Sequence, residues 1–184
     1  MKMSKSRQMA ICGLLGALML VIMLLGGLIP LATFLCPGLA GIILIPAQRE
    51  CGASSAKALY VVVSILSLFL SPDKESAILF VLLLGHYPLI RPLLERLHPR
   101  PVRWLGKLVV FNLCLLVSYA ILFFILAPAL LTEEFSTYTL WGVLGLLALG
   151  NITFVLYDCL VGRFVPLYEF KLRPKIFSSS RFKH

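Results

Sequence analysis

Six runs of apolar residues, joined by short polar stretches, set the pattern of this chain. They cover residues 9–28, 31–45, 58–70, 77–90, 105–126 and 139–161. The first, fifth and sixth reach the roughly 20 residues that a helix needs to cross a hydrocarbon core of about 30 Å. The middle three are shorter, and the second contains Pro37 and Gly38. Inside lipid, backbone N–H and C=O groups must bond within their own segment, so each crossing is predicted to be a helix. The second run has an alternative, a re-entrant turn that enters and leaves on the same side.

Composition decides the solvent. Of 184 residues, 60% are hydrophobic and only 14% are charged, against about 25% charged in soluble domains. A water-soluble fold of this length cannot hide so much apolar surface, so the excess is expected to face lipid. The first run follows a basic lead, as in a secretory signal. It is longer than an h-region of about 7–15 residues and no Ala-x-Ala site follows it. It reads as a retained span.

Charge then chooses between six crossings and five. With six, and the N-terminus inside, 16 of the 17 Lys and Arg residues fall on the cytoplasmic side or at its span edges, and Lys74 alone falls outside. A re-entrant second run would turn the basic stretch from Arg91 to Lys107 outward. Short cytoplasmic loops carry the Lys/Arg excess. The expected fold is therefore an all-α integral membrane protein. It is a six-transmembrane-helix bundle over residues 1–165 with cytoplasmic N- and C-termini and a basic cytoplasmic tail over 166–184. The net charge of +9 is then orientation charge with some attraction to lipid headgroups, and nucleic acid is not an expected partner. Tyr87, Trp104, Phe164 and Tyr168 fall near the inner boundary, and Phe135, Tyr138 and Trp141 near the outer one, as interfacial aromatic belts do.

Signs of chemistry are few. There is no Gly-x-x-x-x-Gly-Lys loop, no His-Glu-x-x-His pair and no Gly-x-Ser-x-Gly elbow, so no enzyme, cofactor or metal is expected. Cys12, Cys36, Cys51, Cys114 and Cys159 form no Cys-x-x-Cys pair and match no zinc spacing. Mostly set in apolar runs, they read as small packing residues. His86 and His98 have no serine partner; His86 reads as an interfacial residue. Three polar residues lie within spans: Asn112 in the fifth, and Asn151 and Asp158 seven apart on one face of the sixth. The two amides suit a bond across helices. Asp158 is either a proton or ion relay or a structural carboxylate neutralised by Arg163, Arg103 or Lys107. In the first span, Ala10, Gly13 and Ala17 share one face. That small-xxx-small pattern allows a second helix to approach closely, either from this chain or from a partner.

The stretch "SRQMAICGLLGALML", with Ala10, Gly13 and Ala17 at its small positions, resembles the first helix of the S components of energy-coupling factor transporters. The runs "CPGLAGIILIPAQRECG" and "SILSLFLSPDKESAILFVLLLGHYPLIRPLLERL" also resemble an uncharacterised Gram-positive membrane-protein family close to them. The likeness extends over most of residues 7–165. It implies a bacterial cell-membrane subunit that captures a vitamin-like or cationic solute from outside. Such a subunit docks by the small face of its first helix on a separate transmembrane coupling protein with ATPase subunits. That family usually carries an Ala-x-x-x-Ala pair, and Gly13 here replaces the first Ala. On this topology the turn Ser71–Ser76 lies outside. Ser71 or Asp73 is expected to cap the fourth helix, with Pro72 in its first turn. Asp73, Lys74 and Glu75, with Glu133, Glu134, Tyr138 and Trp141 opposite and a Gly26–Pro30 turn as a third wall, form the expected ligand mouth. A structural membrane scaffold for cell-wall assembly, with no transport activity, is the alternative reading.

Overall fold

The computed structural model describes residues 5–26, 32–96, 98–121 and 140–174, with side chains of 140–143 and 146 outside that description. Most described residues are helical, and they include six helices long and apolar enough to cross a membrane. They are α1 (Lys5–Gly26), α2 (Ala32–Glu50), α3 (Ala53–Leu70), α4 (Lys74–Leu94), α5 (Arg100–Ile121) and α6 (Leu140–Leu167), the last continuing into a π turn at Tyr168–Leu172. The architecture is that of a multi-pass membrane protein.

The three runs that looked short are longer than expected. α2, α3 and α4 span 19, 18 and 21 residues, because polar residues at their ends continue the helix. α2 runs unbroken through Pro37 and Pro46 to Glu50. Residues 166–174, expected to begin the tail, prolong α6 instead.

α2 and α4 form the middle of the bundle. Half of each span window is buried, against 17 to 22% in the other four. On one side Ile42 and Ile45 of α2, with Leu79, Leu83, Leu84 and Tyr87 of α4, meet Phe111 of α5 and Phe154, Tyr157 and Val161 of α6. Phe111 and Phe154 stack at 4.3 Å, and Tyr87 meets Phe154 edge-on at 5.0 Å. On the other side Ala40 and Leu44 of α2 and Phe80 of α4 meet Met19 and Met23 of α1 and Val63 of α3. The outer helices turn large apolar side chains outward, among them Leu14, Phe69, Leu113, Leu116 and Leu156. That exterior suits lipid, where it costs nothing to expose.

α4 is not a regular helix. It widens to a π turn at Phe80–Leu84, closed by Gly85 N–H donating to Phe80 O at 2.8 Å. A wide turn leaves carbonyls unmatched within the helix. Two tyrosines from other helices take them: Tyr60 of α3 donates to Val81 O, and Tyr157 of α6 donates to Leu84 O at 2.9 Å. Gly41 makes the second contact possible, since a Cβ there would stand 2.5 Å from both Leu84 O and Tyr157 Oη. A glycine lets α2 press directly on the α4 backbone.

Candidate functional site

The bundle has two chemically distinct ends. One end carries the turn between α3 and α4. Here Asp73 is the cap of α4: its Oδ1 accepts from Glu75 N–H at 3.0 Å and Ser76 N–H at 3.2 Å. Ser71 does not cap. Its hydroxyl donates to Asp73 O at 3.0 Å and braces the turn. Pro72 precedes the cap and so stands outside the first turn of α4. Lys74 turns back on α3, donating to Leu68 O at 2.9 Å and Phe69 O at 3.4 Å, where a cation neutralises the carbonyl end of a helix. Glu75 is partly buried in the first turn of α4. Beneath it, the Ser76 hydroxyl is fully buried with no partner among the described residues, close to Gly26 at the end of α1. The rest of the expected mouth, Glu133, Glu134, Tyr138 and the turn after Gly26, lies outside the described residues, and so does the side chain of Trp141.

The other end holds most of the basic residues, and two of its carboxylates, Asp158 and Glu50, are drawn inward. Asp158 of α6 is 4% exposed. Its Oδ2 accepts from Lys107 Nζ of α5 at 2.7 Å. Its Oδ1 accepts from Lys107 at 2.9 Å, from Arg91 Nε of α4 at 2.8 Å and from Tyr87 Oη of α4 at 2.5 Å. Arg91 reaches on to Glu95 at 2.7 Å. One carboxylate thus ties α4, α5 and α6 together. Of the cations expected to neutralise it, Lys107 is there; Arg91 takes the second place, while Arg103, partly buried, and Arg163, exposed, make no ion pair with it. Tyr87 and Arg91 were missed as partners. Their spacing of four on one helix face was the available signal, but nothing local says which helix that face meets. Every Asp158 contact is a bond to a neighbouring helix, which suits a structural carboxylate.

Glu50 at the end of α2 repeats the device. It is 6% exposed and accepts from Arg173 Nε at 2.8 Å and Tyr168 Oη at 3.3 Å. Arg49 pairs with Glu169 at 3.1 Å. These bonds bind the extension of α6 to α2, which is why residues 166–174 are not a loose tail. Gln8 of α1 joins them, donating to Glu50 O at 3.4 Å and accepting at its own carbonyl from Cys51 Sγ at 3.4 Å. Burial, with the neighbouring Cys12 and Glu50, pushes the Cys51 thiol up to about 11.

Two of the aromatic residues expected at the inner interface are instead internal. Tyr87 and Tyr168 are 3% and 4% exposed, because each hydroxyl is taken by a buried carboxylate. Trp104 does stay at the surface, with Lys107 Nζ 5.2 Å from its ring. His86, expected at the interface, is half-buried within α4. It borders a cavity of about 10 Å³, room for one water molecule, with its Nε2 3.8 Å from Cys114 Sγ.

Between the two ends, Asn112 and Asn151 bond reciprocally across α5 and α6 at 2.8 and 3.1 Å. Each also donates to the carbonyl four residues back in its own helix, Leu108 O and Leu147 O, both at 2.8 Å. On α1, the two small-residue faces part company. Gly16 is internal: a Cβ there would stand 2.7 Å from Leu59 Cδ1 of α3. Ala10, Gly13 and Ala17 are exposed, and a Cβ on Gly13 would meet nothing within 4 Å.

No protein-family model matches the chain, nor does any curated protein or solved structure. Among the described residues no cluster of His, Cys, Asp and Glu could hold a metal ion.

Proposed function

We propose that this chain is the solute-binding membrane subunit of a bacterial uptake transporter of the energy-coupling factor type, lying in the cell membrane with both termini in the cytoplasm. One observation carries the reading. The Ala10, Gly13 and Ala17 face of α1 is exposed, with open space at Gly13 among the described residues, although small faces in membrane helices normally exist to be packed. A transmembrane coupling protein is the partner such a face would take, with the ATPase subunits bound behind it. The turn at Ser71–Glu75 leans the same way. Its partly buried Glu75 and the Ser76 hydroxyl, without a partner among the described residues, put polar groups at the end where Lys74 is the one basic residue described. A small polar or cationic solute entering from outside would meet them there.

The test is co-purification from the native membrane. ATPase subunits should come with the wild-type chain. Gly13→Leu should abolish their recovery while leaving the chain folded, because Gly13 is exposed and a Cβ there has no described atom within 4 Å. Unchanged recovery with Gly13→Leu would remove the docking face. Recovery of cell-wall assembly enzymes with no ATPase would put the scaffold reading in its place.

A further inference from the structure

At the basic end, each described carboxylate is already engaged by a cation of the chain: Glu50 by Arg173, Glu95 by Arg91, Asp158 by Lys107 and Arg91, and Glu169 by Arg49. Other cations at this end are not in these pairs. Three of them fall together at the α4–α5 joint. Arg96 follows the end of α4, and Arg100 and Arg103 lie in the first turn of α5. None has a carboxylate partner among the described residues.

Their surroundings are apolar. Leu93 is 65% exposed, Leu105 63% and Val102 46%, and the indole of Trp104 is 38% exposed beside them. A group of arginines flanked by outward leucine and valine would suit a water-soluble acidic partner poorly, since that partner would leave the apolar side chains in water. Because α4 and α5 are both long enough to cross a membrane, residues within a turn of their joint stand at headgroup depth. There the arginines reach phosphate and the leucines reach acyl chain at the same time.

We propose that the α4–α5 joint is a binding surface for anionic phospholipid, with Arg96, Arg100 and Arg103 holding headgroup phosphates while Leu93, Val102 and Leu105 lie against the acyl chains. Guanidinium groups pair with phosphate oxygens through two parallel N–H donors, which adds geometry to charge. Each basic residue near an anionic surface strengthens attachment roughly fivefold. Three together would enrich anionic lipid at this joint on the order of 100-fold over a zwitterionic one, less screening. The surface exists whether or not the chain transports a solute, so its failure and the failure of the transport reading are separate results.

Trp104 supplies the measurement. In a Trp141→Phe background it is the single tryptophan of a chain that has two. The full chain is reconstituted into phosphatidylcholine vesicles containing either brominated phosphatidylglycerol or brominated phosphatidylcholine at equal mole fraction, and quenching of Trp104 is compared. Brominated phosphatidylglycerol is expected to quench severalfold more. The preference should vanish in the Arg96→Gln, Arg100→Gln, Arg103→Gln triple variant, and in about 1 M salt, where the screening length falls to about 3 Å. It should survive when the same three positions become lysine, which keeps the charge and guards against a folding defect. Lys57→Gln with Arg163→Gln, which removes cations elsewhere, should leave it intact. Equal quenching by the two lipids overturns the proposal, and so does a preference that persists in the glutamine triple. Loss of the preference on adding inorganic phosphate at constant ionic strength also overturns it, because the surface would then be a site for a free anion.

Discussion

The two ends of this bundle use their charges in opposite ways. At the α3–α4 turn, charge is spent locally. Asp73 satisfies N–H groups two and three residues ahead, and Lys74 satisfies carbonyls five and six residues behind. At the basic end charge acts at long range. Asp158 joins α6 to residues 51, 67 and 71 positions away, and Glu50 meets Tyr168 at a separation of 118. Local caps stabilise one turn and constrain nothing beyond it. Buried ion pairs between helices fix the arrangement of whole helices, because separating them leaves a charge in a medium that cannot solvate it. One end is thus locked across helices, while the bonds of Asp73 and Lys74 at the other stay beside their own turn.

Replacing Asp158 should give the largest effect. Asp158→Ala strands Lys107, 3% exposed, without its carboxylate and leaves Arg91 only Glu95 among the described carboxylates. The expected loss is about 3–5 kcal/mol, read as a lower thermal midpoint of helical circular dichroism in detergent. A loss under about 1 kcal/mol would mean that the basic end is not locked, and the contrast would fall. Asp73→Ala should cost about 1 kcal/mol, the ordinary value of an N-cap, in the same melting experiment. A cost as large as that of Asp158→Ala would show that the turn holds more than α4. A third measurement, made without unfolding the chain, tests how tightly the basic end is closed. With its pKa at about 11, the Cys51 thiol should alkylate with iodoacetamide about a hundredfold more slowly at pH 8 than an ordinary thiol, and speed up as pH rises toward 11. Ordinary reactivity at pH 8 would place Cys51 in open water.

Much of the fold was legible because the signal for it is written residue by residue. Runs of apolar side chains long enough to cross a membrane are a local property, and six of them mark the six helices. The ends were not legible. Helix formation continues through polar residues such as Arg49 and Glu50 when a partner elsewhere takes their charge, and Arg173 and Glu169, which do so, lie more than a hundred positions away. The small-residue face of α1 illustrates the same limit. The spacing named Ala10, Gly13 and Ala17 as a close-approach face, but whether that face was already filled depended on where α3 lay. Leu59 fills the neighbouring position at Gly16 and leaves Gly13 open.

Composition and hydrophobic pattern by themselves determined that the chain is helical, that its helices are long and apolar enough for a membrane, and which polar residues lie within them. Those properties follow from each segment's own need to satisfy its backbone and match its solvent. Tertiary structure alone decided the rest: that Tyr87 and Arg91 join Lys107 on Asp158, that a π turn in α4 is held open by Tyr60 and Tyr157, and that α6 is clamped to α2 through Glu50. A side chain's partner across the bundle depends on how six helices rotate against one another, and that rotation is a property of no single segment.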